Sequence, residues 1–203
     1  MTIHVHRGDL PSGISFGSSV AVDSETLGLK TLRDRLCVVQ LSAGDGDAHL
    51  VQIPKSDIDA PNLVALMADA NVTKIFHYAR FDVAALKHYL NVDTTPIYCT
   101  KIVSKMTRTY TDRHGLKDLC RELLGVDLSK QQQSSDWAAE ELSKEQQAYA
   151  ASDVLHLHAL KEILDQRLVR EGRTHMAKAA FDFLPTRAEL DMAGWGEDDI
   201  FAH

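Results

Sequence analysis

The pattern of apolar and polar positions predicts three consecutive β-strands near the start of the chain. Short apolar runs end at polar residues, and the last two runs are joined by Gly44-Asp45-Gly46-Asp47, a composition typical of a tight turn. The predicted strands are Ser19–Ser24, Leu36–Ser42 and Ala48–Ile53. Because the connections are short, we expect these strands to form an antiparallel meander.

From residue 62 onward the pattern changes towards helices. It predicts helix, strand and helix between Asn62 and Leu90, a short strand near residues 97–99, and mostly helix after that. No internal repeat or low-complexity tract interrupts the chain. We therefore expect an α/β fold in which helices flank a mixed β-sheet within a single domain.

Acidic side chains stand at the ends of several predicted elements. Asp23 and Glu25 close the first strand, one residue apart, so both carboxylates should face the same side. Tyr149 and Asp153 lie four residues apart in an Ala-rich segment that favours helix, so they should share a helix face. Asp82 falls near the start of the helix that follows the predicted buried strand at residues 74–77.

Four carboxylates gathered in one cleft would repel one another and raise their own pKa values unless cations held them together. Two Mg²⁺ or Mn²⁺ ions would suit these oxygen ligands, and a pair of ions about 4 Å apart can stabilise the attacking and leaving oxygens of a phosphodiester. We therefore predict hydrolytic phosphoryl transfer, with Asp23, Glu25, Asp82 and Asp153 as metal ligands. Taken singly, each motif also occurs in unrelated chains, and Asp82 could simply complement a helix dipole.

Taken together and in order, these motifs resemble the DEDD exonucleases of RNase H-like fold. The similarity covers roughly residues 18–165 and lies in Val22-Asp23-Ser24-Glu25-Thr26, His77 to Asp82, Tyr149 to Val154, and Lys130 to Trp137. The chain resembles the tyrosine branch typified by RNase D, because the histidine branch carries His where this chain has Ala148.

The resemblance implies a 3′-to-5′ exonuclease that releases nucleoside 5′-monophosphates. It implies that Asp23 bridges two metals, that Glu25 and Asp153 complete the site that activates water, and that Asp82 serves the other metal. It also implies that Tyr149 positions or activates the attacking water through a hydrogen bond.

A narrower similarity is to small, stand-alone RNase D-like enzymes that degrade dinucleotides. It lies in the segments 33–41, 107–117, 183–187 and 199–203. It implies a short-RNA substrate and a cytoplasmic homo-octamer. We therefore divide the chain into an N-terminal segment (1–17), a nuclease domain (18–165), and a C-terminal helical segment (166–203) that is a candidate oligomer contact.

Substrate contacts are predicted in four places: just after the motif glutamate, around the second motif, in the stretch 108–117, and in the polar cluster of Lys130, Gln132 and Ser135 before the last motif. Leu29 occupies the position where oligoribonuclease-like enzymes, which the chain resembles, place a leucine wedge between two bases; the alternative is ordinary packing. His77 and Phe81 could touch sugar or base, although a buried structural histidine is an equal alternative. The cationic stretch 108–117 could hold a terminal phosphate, or could be a solvated loop. The predicted substrate-binding residues are Thr26, Leu29, His77, Phe81, Arg108, Arg113, His114, Lys130, Gln132 and Ser135.

Composition and charge bear on the size of the substrate. The 203 residues suit one domain, and the net charge of −7 is unfavourable for gripping a long polyanion. RNase D carries helical nucleic-acid-binding domains after its catalytic domain, and from the 203 residues given we expect this chain to lack them. Two alternatives stay open: an exonuclease that acts on longer structured RNA or on DNA, and a non-catalytic binding module.

Two features of the sequence indicate the cellular compartment of the protein. The start of the chain lacks a basic and apolar secretory signal, and no apolar run approaches the roughly 20 residues of a membrane span, so we expect a cytoplasmic protein. Cys37, Cys99 and Cys120 are widely spaced and form no metal-ligand pattern, so we expect reduced core thiols.

Overall fold

The computed structural model describes residues 2–129, 131–132 and 134–203. The described residues include six strands: β1 Ile3–Arg7, β2 Ser19–Thr26, β3 Leu36–Ser42, β4 Ala48–Gln52, β5 Thr73–Phe76 and β6 Ile97–Cys99. They form one mixed sheet with the strand order β1-β4-β3-β2-β5-β6.

The predicted meander is confirmed, because β2, β3 and β4 pair antiparallel in sequence order. Strands β5 and β6 extend the sheet in parallel beside β2. The sequence pattern missed β1, which pairs parallel with β4 along its full length. This strand has only five residues, and two of them are histidines, so its apolar signal is weak.

Helices cover both faces of the sheet. The helices are α1 Pro61–Ala68, α2 Ala79–Leu90, α3 Thr100–Thr107, α4 Leu116–Leu119, α5 Lys144–Leu155, α6 Leu157–Arg170 and α7 Thr174–Leu190. Short π-helical turns, Cys120–Leu124 and Asp191–Trp195, continue α4 and α7.

Successive residues of β2 belong to different halves of the core. Val20 and Val22 pack with α1 and α2, whereas Ala21 packs with α5 and α6. This alternation follows from the two-residue period of a strand. It places Asp23 and Glu25 on the same face as Ala21, towards α5.

Helix α5 begins at a well-formed cap. The Ser143 hydroxyl accepts a hydrogen bond from the backbone N–H of Gln146, and the Gln146 side chain accepts one from the backbone N–H of Ser143. This reciprocal pair satisfies two free donors at the helix start. Trp137, which precedes this helix, is 2% exposed, and its ring centre lies 5.9 Å from that of Tyr149.

The terminal parts of the chain join the same core. β1 belongs to the sheet, and Leu184 and Ala188 of α7 pack with α2. All three cysteines are buried and unpaired. In the described ranges, no helix has both the length and the apolar character that a membrane crossing requires.

Candidate active site

The C-terminal half of β2 has one free edge. Strand β2 pairs with β5 only from Ser19 to Ala21, whereas its pairing with β3 continues to Thr26. The last residues of β2 therefore extend past the end of the parallel pair. A crevice beyond the carboxyl ends of parallel strands is where α/β sheets commonly bind ligands.

Three carboxylates meet in this crevice. One oxygen from each of Asp23, Glu25 and Asp153 lies within 4.8 Å of the other two. Asp23 and Glu25 come from β2, and Asp153 comes from the facing helix α5. The structure thus brings together two sequence motifs that are about 130 residues apart.

Asp82 lies beside this group rather than within it. It stands in the first turn of α2, is 3% exposed, and accepts a hydrogen bond of 2.6 Å from the Ser24 hydroxyl. The charge of Asp23 contributes to the raised pKa of Asp82, after burial. All four predicted acids therefore gather in one region, with oxygens of three within 4.8 Å of one another and Asp82 joined to β2 through Ser24.

Burial first, and then the neighbouring charges for three of the four acids, raise the pKa values of the cluster. Burial raises the pKa of Asp23 to about 7. Burial, followed by the charges of Asp23, Asp153 and Asp82, raises the pKa of Glu25 to about 10. The pKa of Asp153 is also well above its usual range, through burial and then Asp23. The raised pKa values mean that these carboxylates are unfavourable in their ionised form without a nearby positive charge. A set of hard oxygen donors of this kind fits a divalent cation such as Mg²⁺ or Mn²⁺.

Tyr149 projects into the same region from α5. Burial, followed by the charges of Asp153, Glu25 and Asp23, raises the pKa of this phenol. The hydroxyl therefore keeps its proton at neutral pH and can act as a hydrogen-bond donor or acceptor. Its position four residues before Asp153 follows from the helical spacing that the sequence predicts.

A cavity of about 640 Å³ opens over the carboxylates. Several predicted substrate contacts line it, and Leu29 projects from its rim with 87% of its surface exposed. The predicted site residues in its wall are Asp23, Glu25, Thr26, Leu29, His77, Phe81, Ser135, Tyr149 and Asp153.

His77 fits both predicted alternatives, because it lies in the cavity wall and its ring is also held by a hydrogen bond within the fold. The Thr100 hydroxyl donates to the carbonyl of Phe76, so it must accept from Nδ1–H of His77, 2.9 Å away. The remaining ring nitrogen, Nε2, is buried without a hydrogen-bond partner among the described residues. Burial lowers the pKa of His77 to about 3, so the imidazole is neutral.

The cationic stretch 108–117 does not contact the main cavity in the way that its sequence predicts. The prediction that Arg108 contacts substrate is wrong in this structure, because its side chain is fully buried and binds Glu122, the Ser104 hydroxyl and the carbonyl of Arg113. Arg108 instead stabilises the loop that follows α3. The sequence could not reveal this, since a buried arginine and an exposed one look alike without the partner, Glu122.

The other predicted cations also lie outside the described wall of the main cavity. Arg113 borders a separate cavity of about 440 Å³. The His114 ring shares a hydrogen bond of 2.8 Å with the Ser104 hydroxyl.

Near α5, the Ser135 hydroxyl donates to the side chain of Gln132, which is not in the described cavity wall. Lys130 falls outside the described residues.

Three residues near the site were missed by the sequence analysis. Ser24 binds Asp82, as described above. Gln40 lies opposite Asp23 on β3, and its Nε2 is 3.5 Å from Asp23 Oδ2. Lys101 lines the cavity, with its ammonium 4.1 Å from the ring centre of Tyr78. Gln40 did carry a signal, because it is a polar residue within the apolar, fully buried strand β3.

Comparison with known proteins identifies the family. A family model described as 3′-5′ exonuclease matches residues 11–169. A Ribonuclease D from Gluconacetobacter diazotrophicus is 35% identical over 154 residues, which cover 76% of this chain; the chain spans 39% of the length of that relative. Escherichia coli RNase D shares the fold, with a TM-score of 0.75 at 23% identity over 85% of this chain and 45% of the other.

A Brucella melitensis protein, NrnC, is similar along the whole chain. Its structure with bound Mg²⁺ has a TM-score of 0.96 at 59% identity and covers 100% of both chains. Its structure bound to pGG has a TM-score of 0.97 at 60% identity and covers 100% of this chain and 99% of the other. The chain therefore belongs to the 3′-5′ exonuclease family, in its RNase D-like branch with the RNase H-like fold.

Proposed function

We propose that the protein is a metal-dependent 3′-to-5′ exoribonuclease that hydrolyses very short RNA, dinucleotides above all, to nucleoside 5′-monophosphates. The observation that carries the proposal is the convergence of Asp23, Glu25 and Asp153 within 4.8 Å beneath a cavity of about 640 Å³. Similarity to a protein whose structure was solved with pGG supports the choice of substrate.

Two divalent cations, Mg²⁺ or Mn²⁺, would be held by Asp23, Glu25, Asp82 and Asp153. When bound, they supply Lewis-acid stabilisation of the charge that develops on the phosphoryl group and lower the pKa of a bound water. The donor set supports this choice, because hard cations prefer carboxylate oxygens. The raised pKa values of the acids support it as well, since a nearby positive charge would relieve their mutual repulsion.

The remaining residues would position the attacking water, the Asp82 carboxylate and the bound nucleotide. The phenol of Tyr149, protonated at neutral pH, would position the attacking water by hydrogen bonding rather than remove its proton as a strong base. Ser24 would fix the orientation of Asp82, since its hydroxyl occupies Oδ1. Leu29, standing free at the rim, would contact the base edge or face of a bound nucleotide.

The size and charge of the site favour a short substrate. The cavity volume falls within the roughly 300–1,000 Å³ common for small-molecule sites. Lys101 and Lys117 bring positive charge to its wall, whereas the chain as a whole carries a net charge of −7. A few local cations suit a substrate with few phosphates better than a long polyanion.

The second candidate is the same chemistry on longer RNA 3′ ends or on DNA. The similarity to a Ribonuclease D at 35% identity favours it. A non-catalytic binding module is disfavoured, because the acids that such a module would not need are all present and clustered. We expect the working form to be a homo-oligomer, an octamer by resemblance, with residues 166–203 as a candidate contact.

The test is a series of 5′-labelled RNAs from dinucleotide to about twentymer, assayed with Mg²⁺, Mn²⁺ or chelator. The proposal predicts metal-dependent initial rates that fall steeply beyond two nucleotides. Asp23→Asn should be inactive, whereas Asp93→Asn, at an exposed carboxylate paired with Lys87, should match the unmodified protein. Equal rates at all lengths would favour the second candidate, and metal-independent or absent cleavage would contradict both.

A further inference from the structure

Hydrogen bonds form a frame in the loop between β2 and β3, which carries an exposed leucine. Leu29 lies in this loop, which covers residues 27–35. The loop folds back on itself, because the backbone N–H groups of Arg33 and Asp34 both donate to the carbonyl of Lys30 at 2.8 Å. Its two ends are joined by a hydrogen bond from the N–H of Leu27 to the carbonyl of Arg35.

The carboxylate of Asp34 lies at the centre of this frame. Asp34 is 7% exposed. Its Oδ2 accepts a hydrogen bond of 2.9 Å from the backbone N–H of Lys30, and both of its oxygens accept from the guanidinium of Arg33, at 2.6 and 2.8 Å. These bonds, that of Arg33 first and that of the Lys30 N–H second, lower the pKa of Asp34 to about 2. Asp34 is therefore a charged acceptor at every pH at which the protein would work.

The Asp34 carboxylate also lies close to Gly28, the residue before Leu29. A Cβ atom added at Gly28 would lie 2.4 Å from Asp34 Oδ2, closer than such atoms approach in proteins. Only glycine leaves room for the carboxylate here. Asp34 thus contacts the backbone on both sides of Leu29, at Gly28 and at Lys30.

Two further bonds tie the loop to its surroundings. The hydroxyl of Thr26 donates to the carbonyl of Gly28, and the hydroxyl of Tyr89 on α2 donates to the carbonyl of Thr31 at 3.0 Å. An exposed leucine on a mobile loop would fold down onto nearby apolar surface, because water disfavours its exposure. In this structure the hydrogen bonds hold the backbone beside Leu29, and the Leu29 side chain is 87% exposed.

We propose that Asp34 is a positioning residue for substrate binding, which holds the Gly28–Lys30 backbone so that Leu29 stands ready at the cavity rim to contact a base. The inference rests on the proposed function, because it assumes that a short oligonucleotide occupies the cavity. Its physical basis is preorganisation: a side chain already held in its bound position loses less freedom on binding.

The experiment measures binding of a 5′-phosphorylated dinucleotide in Ca²⁺, and turnover in Mg²⁺, for four forms: unmodified, Asp34→Asn, Leu29→Ala and the double variant. Asp34→Asn should weaken binding about tenfold and raise KM similarly, with kcat changed less than about threefold. The double variant should bind no worse than Leu29→Ala alone, because residues that act through one contact are not additive. Hydrogen exchange of the Lys30 amide should accelerate in Asp34→Asn.

Gly28→Ala provides a second route, since its methyl group would displace the Asp34 carboxylate without removing it, and it should reproduce the loss of affinity. Asp93→Asn serves as the control for loss of a surface carboxylate. Unchanged dinucleotide binding in Asp34→Asn, or losses in Asp34→Asn and Leu29→Ala that add fully, would overturn the inference. Dinucleotide binding without turnover in the unmodified protein would contradict only the proposed function, whereas no dinucleotide binding would contradict both.

Discussion

Ser24 lies between two carboxylates of β2 yet binds a third, because its hydroxyl donates a 2.6 Å hydrogen bond to Asp82 on the neighbouring helix. The alternation of the strand turns Ser24 away from Asp23 and Glu25 and towards α2. One strand thereby supplies two acids directly and fixes the orientation of another. Strand β2 and helix α2 are thus joined by a side chain that would not itself be a metal ligand.

Replacing Ser24 should therefore disturb metal binding rather than the fold. Ser24→Ala leaves Asp82 Oδ1 buried without its donor, so we expect the Mg²⁺ concentration for half-maximal activity to rise about fivefold or more. Titration of activity against Mg²⁺ measures this shift. Ser24→Thr keeps the hydroxyl and is the control; an unchanged Mg²⁺ requirement in Ser24→Ala would contradict the role given to this bond.

Removing a central carboxylate should lower activity while raising the stability of the metal-free protein. Asp23→Asn and Asp153→Asn should reduce turnover at least a thousandfold, because each removes a proposed metal ligand. The same changes should raise the melting temperature in chelator, since they remove mutual repulsion among buried acids. Calorimetry and turnover of the same samples give both values, and a variant with near-normal turnover would overturn the site assignment.

Tyr149→Phe should lower kcat by about ten- to a hundredfold while leaving dinucleotide affinity within about threefold. The ring would still pack beside Trp137, 5.9 Å away, so only the hydroxyl is lost. Comparison of kcat with affinity in Ca²⁺ isolates the effect. A loss of affinity with unchanged kcat would show that the phenol binds substrate rather than positioning water.

The acid cluster should also make the metal-free protein less stable as pH rises. The pKa of Asp23 rises from an ordinary value of 3.8 to about 7, and that of Glu25 from 4.5 to about 10. Between about pH 4 and 10 the folded state therefore holds more protons than the unfolded state, so its stability falls with increasing pH. Melting temperatures measured in chelator from pH 5 to 9 should show this fall, and Mg²⁺ should reduce it.

Asp23→Asn should flatten that pH profile, because it removes one of the shifted groups and a charge that acts on the others. A metal-free protein whose melting temperature rose through the same range would contradict the electrostatic description of the site.

Arg108 should behave as a structural residue. Arg108→Ala removes the charged donors that Glu122, Ser104 Oγ and the Arg113 carbonyl accept, so we expect a loss of about 1.5–3 kcal/mol in the free energy of unfolding. Arg113→Ala, at an exposed side chain nearby, is the matched comparison and should change stability little. Denaturant titration of both variants tests this difference.

The sequence predicted the elements whose signals are local. The period of β2 and the spacing of Tyr149 and Asp153 fix the directions of their side chains, so those two motifs could be placed on shared faces. Features that depend on distant partners could not be predicted. The burial of Arg108 requires Glu122, and the frame around Leu29 requires Asp34 to fold back onto Gly28 and Lys30.

The position of Asp82 shows the same limit. Its place at the start of α2 follows from the pattern, but its bond to Ser24 depends on how the end of β5 leaves the edge of β2 open. Strand β1 was missed for another reason: it is short and half polar, and its pairing with β4 rather than its own composition makes it a strand.

The most direct test of the central claim is a competition assay. A 5′-phosphorylated dinucleotide and a seven-nucleotide RNA of the same 3′-terminal sequence are mixed in equal amounts with the protein and Mg²⁺, and the consumption of each is followed in one reaction. The ratio of rates gives the ratio of kcat/KM, and we predict at least a hundredfold preference for the dinucleotide. Equal consumption, or earlier consumption of the longer RNA, would contradict a site built for two nucleotides.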